Sequence, residues 1–185
     1  MPQRFEGQFK GSDQTELFFQ TWTPDKPARG VFVITHGLAE HSECYSSLAR
    51  ILAEDGWHVF GWDMRGHGRS EGKRGYAKNL NAYIDDLEIF HQLVVKKAGD
   101  LNIVHFGHST GGLILVRYLE SKRAKYAALV LSSPLIGIRM AVPKLKETAA
   151  RMAIKWMPTL TLYNEIKYED LSRDEEMRQS YPRDN

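Results

Sequence analysis

Cysteine is nearly absent. Cys44 is the single one among 185 residues, which excludes an intrachain disulfide and any zinc site built on cysteines. A reducing, intracellular compartment such as the cytoplasm fits that usage. No apolar run approaches the roughly 18–20 residues of a membrane-spanning helix. The N-terminus, Met1-Pro2-Gln3-Arg4-Phe5-Glu6, lacks the apolar stretch of a secretory signal. Charge of one sign is missing too: 25 Lys and Arg are interspersed with 23 Asp and Glu, for a net charge of +2. With no basic stripe to meet a phosphate backbone, nucleic acid is not an expected partner. Gly66-His67-Gly68 lacks the third glycine of a dinucleotide fingerprint, and no Lys-Ser/Thr follows Gly107 to Gly112 as a phosphate-binding loop requires. H-E-x-x-H is absent, so neither a metal nor a cofactor is expected. Histidine stops early. His36, His41, His58, His67, His91, His105 and His108 are all seven, and none follows residue 108.

What is present is ordered as strands alternating with helices. Phe5 to Phe9 and Glu16 to Trp22 alternate apolar and polar residues around Gly11-Ser12-Asp13, which predicts a hairpin on a partly solvated sheet. Four short apolar runs follow: Val31 to Ile34, Trp57 to Phe60, Ile103 to Phe106 and Ala127 to Leu131. Such runs suit parallel strands buried on both faces. Between them, helical stripes run through Tyr45, Leu48, Ala49, Leu52 and Ala53, through Tyr83, Leu87, Phe90 and Val94, and through Leu113, Val116 and Leu119. Asp85 and Asp86, on the second stripe's helix, read as solvated. The expected fold is α/β, a mostly parallel sheet with an N-terminal hairpin and helices on both faces. Residues 1–132 form this core. From 133 to 185 the alternation stops, and Val142, Leu145, Ala149, Met152, Ala153 and Trp156 predict one amphipathic helix that Pro158 breaks. A short charged helix near 174–179 is expected after it.

The chemistry sits at Gly107-His108-Ser109-Thr110-Gly111, a G-x-S-x-G between a buried strand and a helix. In that context the serine occupies a strained turn at the top of the sheet with its hydroxyl exposed, and the glycines avoid collision with neighbouring elements. The bland alternative is a tight turn whose serine caps the helix. Acyl transfer needs two N–H donors at the developing oxyanion. Thr110, directly after the serine, is one candidate. Leu38, in Thr35-His36-Gly37-Leu38 after the first buried strand, is the other. His36 there reads equally well as a loop histidine bonded to backbone.

Three stretches together resemble the monoacylglycerol lipase and lysophospholipase branch of the α/β-hydrolase superfamily. They are His36-Gly37-Leu38-Ala39-Glu40-His41-Ser42 with Tyr45, Gly61 through Gly72 (GWDMRGHGRSEG), and Gly107 through Gly112. The resemblance covers about residues 5–135 and is loose beyond. It implies a serine hydrolase of lipid-like carboxylic esters, with Ser109 as nucleophile, Leu38 and Thr110 as oxyanion donors, and residues 133–185 as the start of a cap that shapes an acyl pocket. The lysine-bearing 142–156 helix then serves as a lid, with peripheral contact to a membrane surface compatible.

A serine hydroxyl needs a base, and the base needs an acid to orient it. In this fold both follow the serine in the chain, yet no histidine follows Ser109. His36 and His67, at the same sheet edge, are conceivable substitutes; His108 should point away from the elbow. The favoured expectation is a chain lacking its last strands, acid and base, inactive alone, with those parts in a missing C-terminal region or a separate C-terminal chain. A non-catalytic hydrolase-like binding protein, an aminopeptidase and a haloperoxidase stay open as alternatives.

Overall fold

The computed structural model describes residues 1–121 and 126–137, together with Met152 and Trp156. Strands β1 (Gln3–Lys10) and β2 (Glu16–Thr23) form the expected hairpin. They are followed by β3 (Gly30–Thr35), α1 (Ser46–Glu54), β4 (Trp57–Trp62), α2 (Leu80–Ala98), β5 (Ile103–His108), α3 (Ser109–Ser121) and β6 (Ala128–Ser132). The six strands lie in the order β1-β2-β4-β3-β5-β6. Pairing from β4 through β3 and β5 to β6 is parallel, and β2 joins β4 antiparallel. The mixed, mostly parallel sheet expected from the alternation is the one observed.

Alternation along β3 shows how the layers are built. Val31 and Val33 face one side, where Leu87, Phe90 and Val94 of α2 and Ile114, Leu115 and Tyr118 of α3 pack against them. Phe32 and Ile34 face the other, against Ala49 and Ala53 of α1 and Trp22 of β2. One-residue alternation thus feeds two separate apolar clusters, and a register slip would exchange them. β3 is buried throughout, as expected of a two-sided strand, but β5 alternates buried with half-buried residues and β6 stays largely open, with Val130 43% exposed. Among the described residues β6 pairs only with β5, and its apolar run is less buried than the two-sided burial expected of it.

The sheet's hairpin end is tied to α2 by an ionic cluster. Arg65, after β4, donates from Nε to Asp86 Oδ2 at 2.6 Å and from Nη2 to Asp86 Oδ1 at 2.8 Å. Its Nη1 donates to Asp13 Oδ2 at 2.7 Å, and Nη2 also reaches Asp13 Oδ1 and the Ser12 hydroxyl. Asp86 is fully buried and also accepts the Ser12 N–H. The expectation of two solvated aspartates therefore holds for Asp85, which is exposed, and fails for Asp86. A planar guanidinium with all three nitrogens engaged sets geometry more than it adds net stability.

The chain divides into two units, Met1–Arg139 and Met140–Asn185. In the second, Met152 and Trp156 are helical and exposed. The rest of the helix expected over 142–156, and the one near 174–179, lie outside the described residues.

Candidate active site

The strand order places the site. From β3 the chain moves through α1 to β4 on one side; from β4 it crosses back through α2 to β5 on the other. Neighbouring β3 and β5 therefore send their following loops apart, which opens a crevice at their carboxyl ends, the usual ligand position in open α/β sheets. The loop after β3 is His36 to Glu40. The segment after β5 is Ser109 and α3.

Ser109 has φ 48°, in the left-handed region that β-carbon-bearing residues rarely occupy. That reversal turns β5 directly into α3 and marks a strained strand-to-helix elbow. Leu135 N–H, beyond β6, donates to the Ser109 carbonyl at 2.9 Å. Two glycines let the layers close. A methyl at Gly107 would sit 2.6 Å from a Leu115 methyl and 2.8 Å from Gly112 Cα, and one at Gly111 would be driven into the Thr35 and His36 carbonyl oxygens. The expected collision with strand and helix is thus the reason for both. Thr110 is the second residue of α3, where N–H groups have no acceptor within the helix.

Across the crevice, Gly37 lies so near the elbow that a methyl there would be 3.3 Å from Ser109 Cβ. His36 is fully buried and spends both ring nitrogens on backbone: Nδ1 donates to Gly37 O at 2.7 Å and Nε2 accepts the Met64 N–H at 2.9 Å. Because a trans peptide holds C=O and N–H in opposite directions, tying down the Gly37 carbonyl also sets where the Leu38 N–H points. Among the described residues that N–H makes no hydrogen bond, and the Leu38 side chain is 54% exposed.

Among the described residues no base is hydrogen-bonded to the serine hydroxyl, which makes no hydrogen bond to any of them. His36 is committed to backbone, and His67, buried, places Nδ1 3.0 Å from the Arg65 carbonyl while its ring packs 5.3 Å from that of His36. Neither substitutes as sequence reasoning allowed. His108 turns from the elbow, as expected: Nδ1 lies 3.1 Å from the Ser132 hydroxyl and Nε2 3.8 Å from Glu40 Oε1. Glu40 and Tyr45, which carried no role in the sequence, both reach into the loop after β3. A carboxylate three residues beyond a glycine is the local signal that could have pointed to them. Among the described residues no cluster of side chains could hold a metal ion, and no helix is long and apolar enough to cross a membrane.

Burial also makes the fold acid-sensitive. Desolvation, followed by the neighbouring His67, pushes His36 down to about 3. Desolvation and then His91 push His105 down to about 3 as well. His58, His67 and His91 are lowered too, chiefly by burial. Unfolded rings titrate near 6.5, so between about 6.5 and 3 the unfolded chain binds more protons than the folded one. Stability from these rings is complete above that window and is lost as pH falls through it. The thermal midpoint should therefore drop steadily from pH 7 to pH 5; a flat midpoint would contradict neutral buried rings.

Comparison with known proteins agrees with the fold. The family described as serine aminopeptidase, S33, matches residues 26–185. The chain is 32% identical over 181 residues to a monoacylglycerol lipase of Mycolicibacterium smegmatis, covering 98% of this chain and 64% of that protein. It is 28% identical to the phospholipase YtpA of Bacillus subtilis, over 85% of this chain and 60% of that one. The chain thus spans less than two thirds of these relatives. The crystal structure of Paleococcus ferrophilus monoacylglycerol lipase superposes with a TM-score of 0.74 at 28% identity, over 98% of this chain and 63% of that one. An elbow serine at the switch point of a mostly parallel sheet, together with these matches, places the chain in the serine aminopeptidase S33 family of α/β-hydrolases, with monoacylglycerol lipases among its relatives.

Proposed function

We propose that the protein containing this chain is a serine esterase that hydrolyses lipid-like carboxylic esters, monoacylglycerols or lysophospholipids, through an acyl-enzyme on Ser109. The observation that carries this is Ser109 itself, held at φ 48° at the strand-to-helix junction beside the loop of Leu38, whose N–H has no partner among the described residues. Ser109 Oγ attacks the ester carbonyl carbon while a base takes its proton. Negative charge builds on the carbonyl oxygen, where the Leu38 and Thr110 N–H groups and the α3 dipole stabilise it. Collapse expels the alcohol, which recovers the proton, and water then releases the acid. The base and its acid partner come from polypeptide outside residues 1–185, since no histidine follows Ser109 within them.

An apolar acyl group is favoured by what flanks the serine. Leu38 is exposed in the loop opposite, and Leu135, bonded to the Ser109 carbonyl, is followed by Ile136, which is 70% exposed. The names of the relatives, a monoacylglycerol lipase and a phospholipase, support the same substrate class. Exposed Trp156 supports a cap that touches lipid surfaces. A non-catalytic binding role is the second reading, favoured by the absence of any partner for the Ser109 hydroxyl among the described residues.

Treating the full-length protein with a fluorophosphonate probe distinguishes the two. Stoichiometric labelling at Ser109 is expected, with faster turnover of long-chain than of short-chain acyl esters. No labelling sinks the esterase reading, and equal rates across chain lengths sink the lipid pocket.

A further inference from the structure

The loop that carries Leu38 is folded back on itself. Ala39 has φ 58°, and this reversal returns the Glu40 side chain to Gly37. Glu40 Oε2 accepts the Gly37 N–H at 2.8 Å and the Tyr45 hydroxyl at 2.7 Å. Gly37 is therefore gripped twice, its N–H by Glu40 and its C=O by His36. Its own N–H is occupied and is no candidate for an oxyanion donor, which leaves the next amide along. The other carboxylate oxygen, Oε1, faces His108 Nε2 at 3.8 Å, and His108 contacts Ser132 at its far side. Glu40 thus links the loop after β3 to the residue preceding the nucleophile and to the end of β6.

We propose that Glu40 is a positioning residue for the oxyanion hole: anchored by Tyr45, its carboxylate fixes the peptide ahead of Gly37 and so presets the Leu38 N–H before substrate arrives. This rests on the esterase function proposed above. The physical ground is that an oxyanion donor works by being fixed in advance, so that no reorganisation accompanies the charge as it develops. A loop with a glycine at its centre does not hold one orientation without such ties. Tyr45 suits the anchoring part: burial, and then its bond to Glu40, push its phenol above the ordinary range, so it remains a donor. A hydrogen bond to a charged acceptor is also roughly twice as strong as a neutral one.

Three variants of the full-length protein test this: Glu40→Ala, Glu40→Gln and Tyr45→Phe. Each is assayed for kcat and KM on a soluble ester, with kcat expressed per site titrated by fluorophosphonate, and for thermal midpoint. Removing the acceptor in Glu40→Ala should lower kcat about 30-fold with KM within about threefold, less than the roughly 100-fold or more seen when a donor itself is deleted. Glu40→Gln, whose amide oxygen can accept the same two hydrogen bonds, should recover to within about fivefold of the parent. Tyr45→Phe should fall between them. A purely structural role would lower the number of titratable sites and leave kcat per site unchanged, and that result overturns the proposal. So does a rise in KM with constant kcat, which would make Glu40 a substrate contact. Unchanged variants of an active parent overturn this inference alone, whereas an inert parent overturns the esterase function with it.

Discussion

Replacing Ser109 with alanine in the full-length protein is expected to lower ester turnover at least about 10⁴-fold and to abolish fluorophosphonate labelling, with folding preserved. The size follows from the chemistry. Without the hydroxyl there is no acyl-enzyme, and the remaining donors can only assist attack by water. Folding should survive because alanine inherits the same left-handed backbone, φ 48°, that serine already tolerates. The comparison is therefore free of the usual ambiguity of active-site deletions. Labelling that persists in Ser109→Ala would move the nucleophile elsewhere in the chain.

The largest expected loss of stability is at Gly111. Its position in α3 faces the end of β3, and a β-carbon there meets two backbone carbonyl oxygens, Thr35 and His36. Backbone cannot swing aside as a side chain does, so Gly111→Ala must push α3 away from the sheet and reopen the packing of Leu115 and Tyr118. Overpacking of this sort costs about 3 kcal/mol. Gly99→Ala is the matched control: φ 60° with nothing within 4 Å of the added carbon. Its penalty is conformational only, about 2 kcal/mol, because ψ −121° lies outside the left-handed helical region. Urea unfolding of both variants separates steric from backbone effects. A Gly111→Ala variant as stable as Gly99→Ala would mean that helix and strand are not held as close as described.

Much of this was legible in the sequence because it is written in local periodicity. Each predicted strand lies within its observed neighbourhood, and the elbow was found from a five-residue motif between strand and helix. The α2 boundaries were less visible. The stripe from Tyr83 to Val94 marks its apolar face, but its start is set by the Asn79 side chain accepting the Ala82 N–H and its end by Gly99. Asp86 was misread for a different reason. Its partners, Arg65, Ser12 and Asp13, are brought to it by the tertiary fold, and no spacing along the chain announces such a meeting. His36 is only half legible: its type suggests either a substitute base or a loop tie, and the Met64 N–H that decides the matter comes from the segment just beyond β4. Glu40 was within reach, since Gly37, Glu40 and Tyr45 are close neighbours in sequence, but a carboxylate in a loop attracts attention only once its acceptor atoms are seen occupied.

The Arg65 cluster has a consequence for synthesis on the ribosome. Ser12 and Asp86 are separated by 74 positions, and Arg65 and Asp13 by 52. The hairpin emerges first, yet the guanidinium that pairs with Asp13 in its turn arrives much later, and the buried carboxylate of Asp86 later still. Before Asp86 emerges, β4 can already pair with β2, but the buried carboxylate that fixes Arg65 over the hairpin turn is missing. Locking of the hairpin turn, as distinct from pairing of β2 with β4, therefore waits for a residue of α2.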